Sequence, residues 1–365
     1  MNSQTNQNAN NQPLLVKAFT GRPTTRVPIW FMRQAGRYLP EYNELRRGRT
    51  FLELSETVEL AVQVSLQPLQ RFGVDGVIMF SDILTPIKGA GIPLHFEEKK
   101  GPVLERTVQN ENDLQYLRAD FDPATDTAHV RDILRNLRAH IDGIDASTRP
   151  ALLGFAGAPF TLASYLIEGG TSKKFEKTKG AVFGQSDFFH KLSDRLTEIT
   201  IRYLKMQIDA GADAVQIFDS WAGILSPADY AEFAAPYTAR IIAALQTYSE
   251  RPTILFVGNS AHLLPEMIAQ KPRVLSVDWR VRANALRREF DEHQITGMAV
   301  QGNLDPLILY GTPERVRDAT RKVLEAFTNF AKSGGYAFNL GHGIHPAAPI
   351  ENVQAMIDTV RAYRV

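Results

Sequence analysis

Across 365 residues the formal net charge is only +1, with 44% hydrophobic and 22% charged side chains and no cysteine. That composition supplies no general basic field for nucleic acid, and it removes disulfides, thiolate nucleophiles and every cysteine-based zinc site. No apolar run approaches the length of a membrane span. The polar opening stretch lacks the basic and apolar regions of a signal or transit peptide, so residues 1–13 are expected to be a disordered tail on a soluble, cytoplasmic protein.

The elements then follow in order. Leu14 to Phe19 predicts a short helix ending near Gly21. Pro28 to Met32 is an apolar run that predicts the first strand, followed at once by Arg33, Gln34, Ala35, Gly36 and Arg37. Glu53 to Phe72 carries apolar residues at helical spacing, with Gly73 after it. The second strand is Gly76 to Phe80, ending on Ser81 and Asp82. Thr85 to Thr107 is rich in Gly and Pro and predicts a β-ribbon insertion or lid. Pro86 and Gly89 argue against an ordinary helix directly after Asp82. A helix is expected over Thr125 to Ile141, a third strand over Ala151 to Ala156, and a helix running through Tyr165. Gly169 to Gly184, with Lys173, Lys174, Lys177 and Lys179, reads as a solvated loop, and Phe188 to Ala210 as a long amphipathic helix. The fourth strand, Ala214 to Phe218, leads into Asp219, Ser220 and Trp221. Ser226 and Pro227 then start a helix as its cap and first turn. Strands over Thr253 to Val257, Val274 to Val277, Met298 to Val300 and Tyr336 to Leu340 follow, the last leading into Gly341, His342 and Gly343. Ile350 to Tyr363 predicts a closing helix.

Eight continuous apolar strands alternating with helices predict an α/β fold, a (β/α)8 TIM barrel forming one domain over residues 14–365. The competing open, doubly wound sheet lacks support: no G-x-G-x-x-G follows the first strand and no P-loop occurs.

A barrel presents its chemistry at the C-terminal ends of its strands. Those ends carry Arg33 and Arg37, Asp82, Ser220, Asp278, Asn303 and His342, with Tyr165 a little further along. Two arginines with a glycine between them and a third at Arg46 point to an anion-binding pocket rather than to rim salt bridges alone. Asp82 could simply cap the segment after it, and Tyr165 could be a core tyrosine. Ser220 and His342 do not make a triad, since Gly-x-Ser-x-Gly is absent. His342 and His345 lie among Gly343 and Pro346, which argues for a loop and against a helical metal face, so no metal is expected. Glycines around His342 are expected to let backbone crowd a ligand.

The segment Pro28 to Arg37 (PIWFMRQAGR) resembles the first signature of the uroporphyrinogen decarboxylase family. Gly154 to Leu162 (GFAGAPFTL), with Tyr165 and Glu168-Gly169, resembles its second. Leu66-Gln67-Pro68-Leu69, Phe80 to Leu84 and Asn339 to Gly343 resemble the family too, so the likeness spans nearly the whole chain. It implies a (β/α)8 barrel, a homodimer, and no metal or organic cofactor. It implies conversion of the four acetate side chains of uroporphyrinogen III to methyl groups, giving coproporphyrinogen III and CO2 in haem and chlorophyll synthesis. By motif, Arg33, Arg37 and Arg46 contact substrate carboxylates and Asp82 faces the pyrrole N–H groups. Tyr165, Ser220 and His342 line the pocket, and the resemblance favours Arg37 as proton donor, giving its own proton or passing one from water or His342. The Ser220 segment is the looser match, because relatives often carry glutamate before it.

This chemistry suits the residues. A pyrrole protonated on a ring carbon becomes an electron sink for the departing carboxylate, so the substrate supplies what a cofactor would otherwise provide. A fixed anion can stabilise that cation, and planar arginines suit a substrate with eight carboxylates. Two other readings compete. A methyltransferase of the wider superfamily would hold zinc through His and Cys, which the absence of cysteine disfavours. A non-catalytic tetrapyrrole carrier would be free to lose Asp82.

Overall fold

We describe a computed structural model covering residues 12–97 and 100–364; the expected tail falls mainly on residues outside these. The sheet is seven-stranded and wholly parallel, in the order β1 (Gly76–Ile78), β4 (Ala151–Gly157), β5 (Ala214–Asp219), β6 (Thr253–Val257), β7 (Val274–Ser276), β8 (Ala299–Leu304) and β9 (Tyr336–Leu340). Sequential neighbours pair in register, from Gly76 against Ala151 to Leu304 against Leu340. Nearly every strand residue is buried, because helices cover the sheet, and this is why the strands read as unbroken apolar runs. The two remaining strands, β2 (Leu94–Glu97) and β3 (Gly101–Leu104), form the expected ribbon as a separate antiparallel pair.

The expected first strand is not one. Pro28 to Met32 makes a single parallel bridge, Ile29 with Phe338 of β9. It nonetheless bonds to both edges of the sheet. Phe338 N–H donates to Pro28 O at 2.9 Å, and Asp75 N–H, just before β1, donates to Ile29 O at 2.8 Å. The Asp75 carboxylate takes the place of a second rung, accepting from Ile29 N–H at 2.8 Å and from Arg26 at 2.7 and 2.8 Å. A charged side chain has replaced regular pairing, which shortens the strand.

Three helical expectations also change. Glu53 to Phe72 divides into Phe51–Glu56 and Val58–Phe72, because Thr50 and Glu53 build a reciprocal cap that starts the first piece early. A short helix, Thr85–Gly89, does follow Asp82, with Pro86 in its first turn, where a missing N–H costs nothing. The lysine-rich stretch is partly helical over Glu176–Gly184. Its start is held from ten residues upstream, where Glu168 Oε1 accepts from Thr178 N–H and Oγ1 at 2.9 and 2.8 Å. Ser226 caps Pro227–Phe233 as expected, accepting from Asp229 N–H.

The helix Ser186–Asp209 buries Phe188, Phe189, Leu192, Leu196, Tyr203 and Leu204. Each such side chain contributes roughly 1.5–3 kcal/mol through burial. Near its end Gln207 bonds both N–H and C=O of Phe155, at 2.7 and 2.9 Å. Gly154 permits this approach, since a Cβ there would collide with Gln207. Among the described residues no helix is long and apolar enough to cross a membrane.

Candidate active site

The chain reaches the site through a turn that is fixed from beneath. Ile29, Trp30 and Phe31 are fully buried. Trp30 Nε1 donates to Gln301 Oε1 at 2.8 Å, and Met32 N–H donates to Asn339 Oδ1 at 3.2 Å. Gln34, also fully buried, accepts from Phe31 N–H and donates to Gly76 O at 2.8 Å. With residues 31, 32 and 34 held, Arg33 adopts the left-handed φ of 61°. That conformation is uncommon for a side chain with a Cβ and persists where its surroundings over-determine it. The guanidinium carriers Arg33 and Arg37 come out exposed, while Gln34 and Ala35 between them stay buried.

Most arginines near the sheet ends are neutralised, as Arg26 is by Asp75 and Arg71 by Glu41. Among the described residues Arg33, Arg37 and Arg46 have no ion pair and no side-chain hydrogen bond. Rim salt bridges therefore do not account for them.

Arg33 is the hub of one group. Its cation opposes the upward push that burial gives the Asp82 carboxyl and the Tyr165 phenol, and it depresses the pKa of His342. Asp82 and His342 follow β1 and β9, and Tyr165 lies on the helix Pro159–Glu168 after β4. The Arg33 stem lies across Gly343, where an added Cβ would sit 2.5 Å from Cδ and 2.8 Å from Cγ. That glycine makes room for Arg33, not directly for a ligand as the sequence suggested.

Asp82 takes the capping role that its sequence position allowed. One oxygen, Oδ1, accepts from Leu84 N–H at 2.8 Å and caps the turn into Thr85–Gly89. Its other oxygen accepts no hydrogen bond among the described residues. Asp82 keeps some surface open to the cleft, yet the protein around it desolvates the carboxylate, and its pKa rises. The surrounding protein gives this anion less stabilisation than water would. Beside it stands Tyr203, a residue the sequence reading missed, buried and bonded to Ser81. It sits in a long apolar helical pattern, so nothing in the sequence separated it from core filler.

Arg37 and Arg46 form a second group around Tyr42. Burial raises the Tyr42 pKa, and both arginines oppose that rise, Arg46 more than Arg37. Tyr42 packs edge-on against Phe80 at 5.7 Å between ring centroids, two residues before Asp82, which links the two groups.

Tyr165 is not simply core. It is half-buried and stacks on Trp221 with centroids 3.9 Å apart. Ser220 directly precedes Trp221, and among the described residues its side chain makes no hydrogen bond. Asp219 before it is fully buried, its Oδ1 accepting from Thr161 Oγ1 at 2.7 Å, and burial raises its pKa to about 7. Thr161 Oγ1 in turn accepts from Trp221 N–H at 3.2 Å. The acid is thus a tie between β5 and the helix Pro159–Glu168.

His342 is pushed down to about 4, chiefly by burial and then by Arg33, His345 and Arg280. It is neutral at pH 7. Its ring lies edge-on to Phe256 and to Trp279, 5.9 and 6.5 Å between centroids. The other strand-end residues are structural. Asp278 is fully buried and accepts from Ser260 N–H and Arg280 N–H, while Asn303 Nδ2 donates to Asp278 O and Val281 O. Among the described residues no three or more His, Asp and Glu side chains gather as metal ligands. What the site offers is a desolvated anion with the Arg33 cation beside it and the unpaired Arg37 and Arg46 grouped at Tyr42, suited to a large polyanion that also carries hydrogen-bond donors.

Comparison with known proteins gives this arrangement its context. The family described as Uroporphyrinogen decarboxylase (URO-D) matches residues 10–363. The uroporphyrinogen decarboxylase of Thioalkalivibrio sulfidiphilus is 42% identical over 350 residues, covering 95% of this chain and 96% of that protein. That of Gloeobacter violaceus is 42% identical over 352 residues, covering 96% and 97%. Among solved structures, a methyltransferase from Methanosarcina mazei superposes with a TM-score of 0.76 at 20% identity, over 96% of this chain and 98% of that one. This last likeness is one of fold alone.

Proposed function

The chain belongs to the uroporphyrinogen decarboxylase family, the carboxy-lyases that act on uroporphyrinogen in tetrapyrrole synthesis, and from that premise we propose how its own cleft carries out the decarboxylation. The observation that carries the reading is the convergence on Arg33 of Asp82, Tyr165 and His342.

Among the described residues Asp82 accepts a single hydrogen bond, from Leu84 N–H at Oδ1. Pyrrole N–H groups supply the donors it lacks, and the anion then stabilises the ring when that ring becomes cationic. Protonation of the ring carbon next to the acetate-bearing position creates this cation. The C–C bond to the carboxylate breaks, its electron pair flows into the ring, and CO2 leaves. A proton added to the exposed methylene gives the methyl group, and loss of the first proton restores the pyrrole. The net consumption is one proton per CO2, with no oxidant or reductant, so the reading requires no cofactor.

Arg33, Arg37 and Arg46 hold substrate carboxylates through their unpaired, planar guanidinium groups. Tyr165, stacked on Trp221, and Ser220 wall the cleft. Arg37 handles the incoming proton; its exposure gives it a path from solvent. His342, held neutral at pH 7, lines the pocket. We take the barrel to be closed, with Pro28 to Met32 as an irregular eighth strand; its bonds to both sheet edges support this. Seven regular strands with one domain over 14–365, a cytoplasmic location and a homodimer complete the reading.

The test is incubation of the purified protein with uroporphyrinogen under anaerobic, reducing conditions. We expect stepwise appearance of the hepta- to tetracarboxylate products, undiminished after exhaustive chelation. Absence of any decarboxylation would overturn the function, and loss on chelation would overturn its independence from metal.

A further inference from the structure

The turn after β7 presents a cation that neither the sequence motifs nor the mechanism uses. Asp278, Trp279, Arg280 and Val281 form it, and it is braced from several sides. Asp278 Oδ1 accepts from Arg280 N–H at 2.7 Å and Oδ2 from Ser260 N–H at 3.1 Å. Asp278 O accepts from Val281 N–H at 3.1 Å and from Asn303 Nδ2 at 2.8 Å. Against this rigid base the Arg280 guanidinium lies 4.0 Å above the Trp279 ring. The stack fixes its plane before any ligand arrives, so little freedom is lost on binding. Its nearest carboxylate oxygen, Asp278 Oδ2, is 3.6 Å away and already engaged by Ser260. Among the described residues the guanidinium makes no hydrogen bond, and its side chain is 46% exposed.

The same turn touches the cleft. The Trp279 ring lies edge-on to His342, and Gly341 packs against the Trp279 backbone. His342 is thus within electrostatic reach of both Arg33 and Arg280. From this geometry we propose that Arg280 is a further substrate-binding residue, holding one of the four carboxylates that stay on the tetrapyrrole throughout the reaction.

The choice of a retained carboxylate follows from position. The anion under attack must lie near Asp82, whereas Arg280 acts on His342 and is not among the groups that act on Asp82. A ring with eight carboxylates also needs more cations than Arg33, Arg37 and Arg46 supply. Every pyrrole carries one retained carboxylate, so such a group is available to Arg280 in each of the four rounds.

The inference rests on the proposed function, and the experiment separates the two. Wild type, Arg280→Gln and Arg280→Lys are assayed with uroporphyrinogen, and their binding of uroporphyrin and of coproporphyrin, which keeps only the retained carboxylates, is followed by fluorescence quenching. We expect Arg280→Gln to raise KM and weaken both porphyrins by about tenfold, with kcat changed less than twofold and an unchanged melting temperature. Arg280→Lys should fall between, keeping charge but losing the planar stack. Equal affinity in wild type and Arg280→Gln overturns the inference, and weakening of uroporphyrin alone overturns the assignment to a retained carboxylate. A wild-type protein that decarboxylates nothing overturns the proposed function instead.

Discussion

Replacing Gly343 by alanine should silence the site without unfolding the protein. The backbone there does not require glycine, since Gly343 is not among the glycines with positive φ. What glycine provides is space. The new Cβ would lie 2.5 Å from Arg33 Cδ, 2.8 Å from Cγ and 3.1 Å from Nε, whereas unstrained carbon contacts lie at roughly 3.5–4.0 Å. The Arg33 stem must therefore retreat by about 1 Å or more, and being long and exposed it can do so cheaply. A charge-assisted contact carries roughly 1.5–3 kcal/mol, so its loss corresponds to about 10- to 150-fold in kcat/KM. Steady-state kinetics with uroporphyrinogen and a thermal melt would be run side by side. Wild-type kcat/KM in Gly343→Ala would refute the claim that the Arg33 pose across residue 343 matters. A melting temperature lowered by many degrees would show that glycine serves the fold.

The remaining predictions address the centre and its charges. Asp82→Asn keeps the cap shape but removes the anion, so kcat should fall about 10²-fold or more, and near wild-type turnover would take Asp82 out of the mechanism. Arg37→Lys keeps the charge but loses the planar fork; we expect a substantial drop in kcat, and unchanged rates would make Arg37 a structural residue. His342 is depressed to about 4 from an ordinary 6.5, so the unfolded chain binds the extra proton more readily. The stability it contributes is present above about pH 6.5 and is lost as pH falls toward 4, on the order of 1–2 kcal/mol once its open edge is allowed for. Denaturant titrations between pH 4 and 7 should show a flatter profile for His342→Gln, and superimposable profiles would sink this account.

Much of this architecture could be read from residues alone, for definite reasons. Strands covered on both faces must be apolar throughout, so β4, β6 and β9 were plain in the sequence. Pro28 to Met32 has the same composition but pairs irregularly, because the Asp75 carboxylate, 46 residues away, occupies the position of a ladder rung. The helix Glu176–Gly184 was hidden by its lysines and glycines, and by a cap supplied from Glu168. At the site, the unpaired arginines and Asp82 were legible as residue types at strand ends. Their grouping was not. That Arg33 serves Asp82 and His342 while Arg37 and Arg46 flank Tyr42 depends on side-chain reach. So does the service of Gly343 to Arg33, which a motif cannot separate from a ligand contact. Arg280 was passed over because a lone surface arginine carries no signal until the Trp279 ring is seen beneath it.

The bond from Met32 to Asn339 joins residues 307 positions apart, and it sits directly under Arg33. Its meaning changes when the chain is considered as it is made. Ribosomes deliver roughly 5–20 residues each second. The arginine turn is among the first pieces to emerge, and its bonds to Gly76 and Asp75 lie close behind it, but Asn339 beneath Met32 and Gly343 across the Arg33 stem follow only tens of seconds later. A chain truncated before β9 would retain Arg33, Arg37, Arg46 and Asp82 and lack both of these late supports.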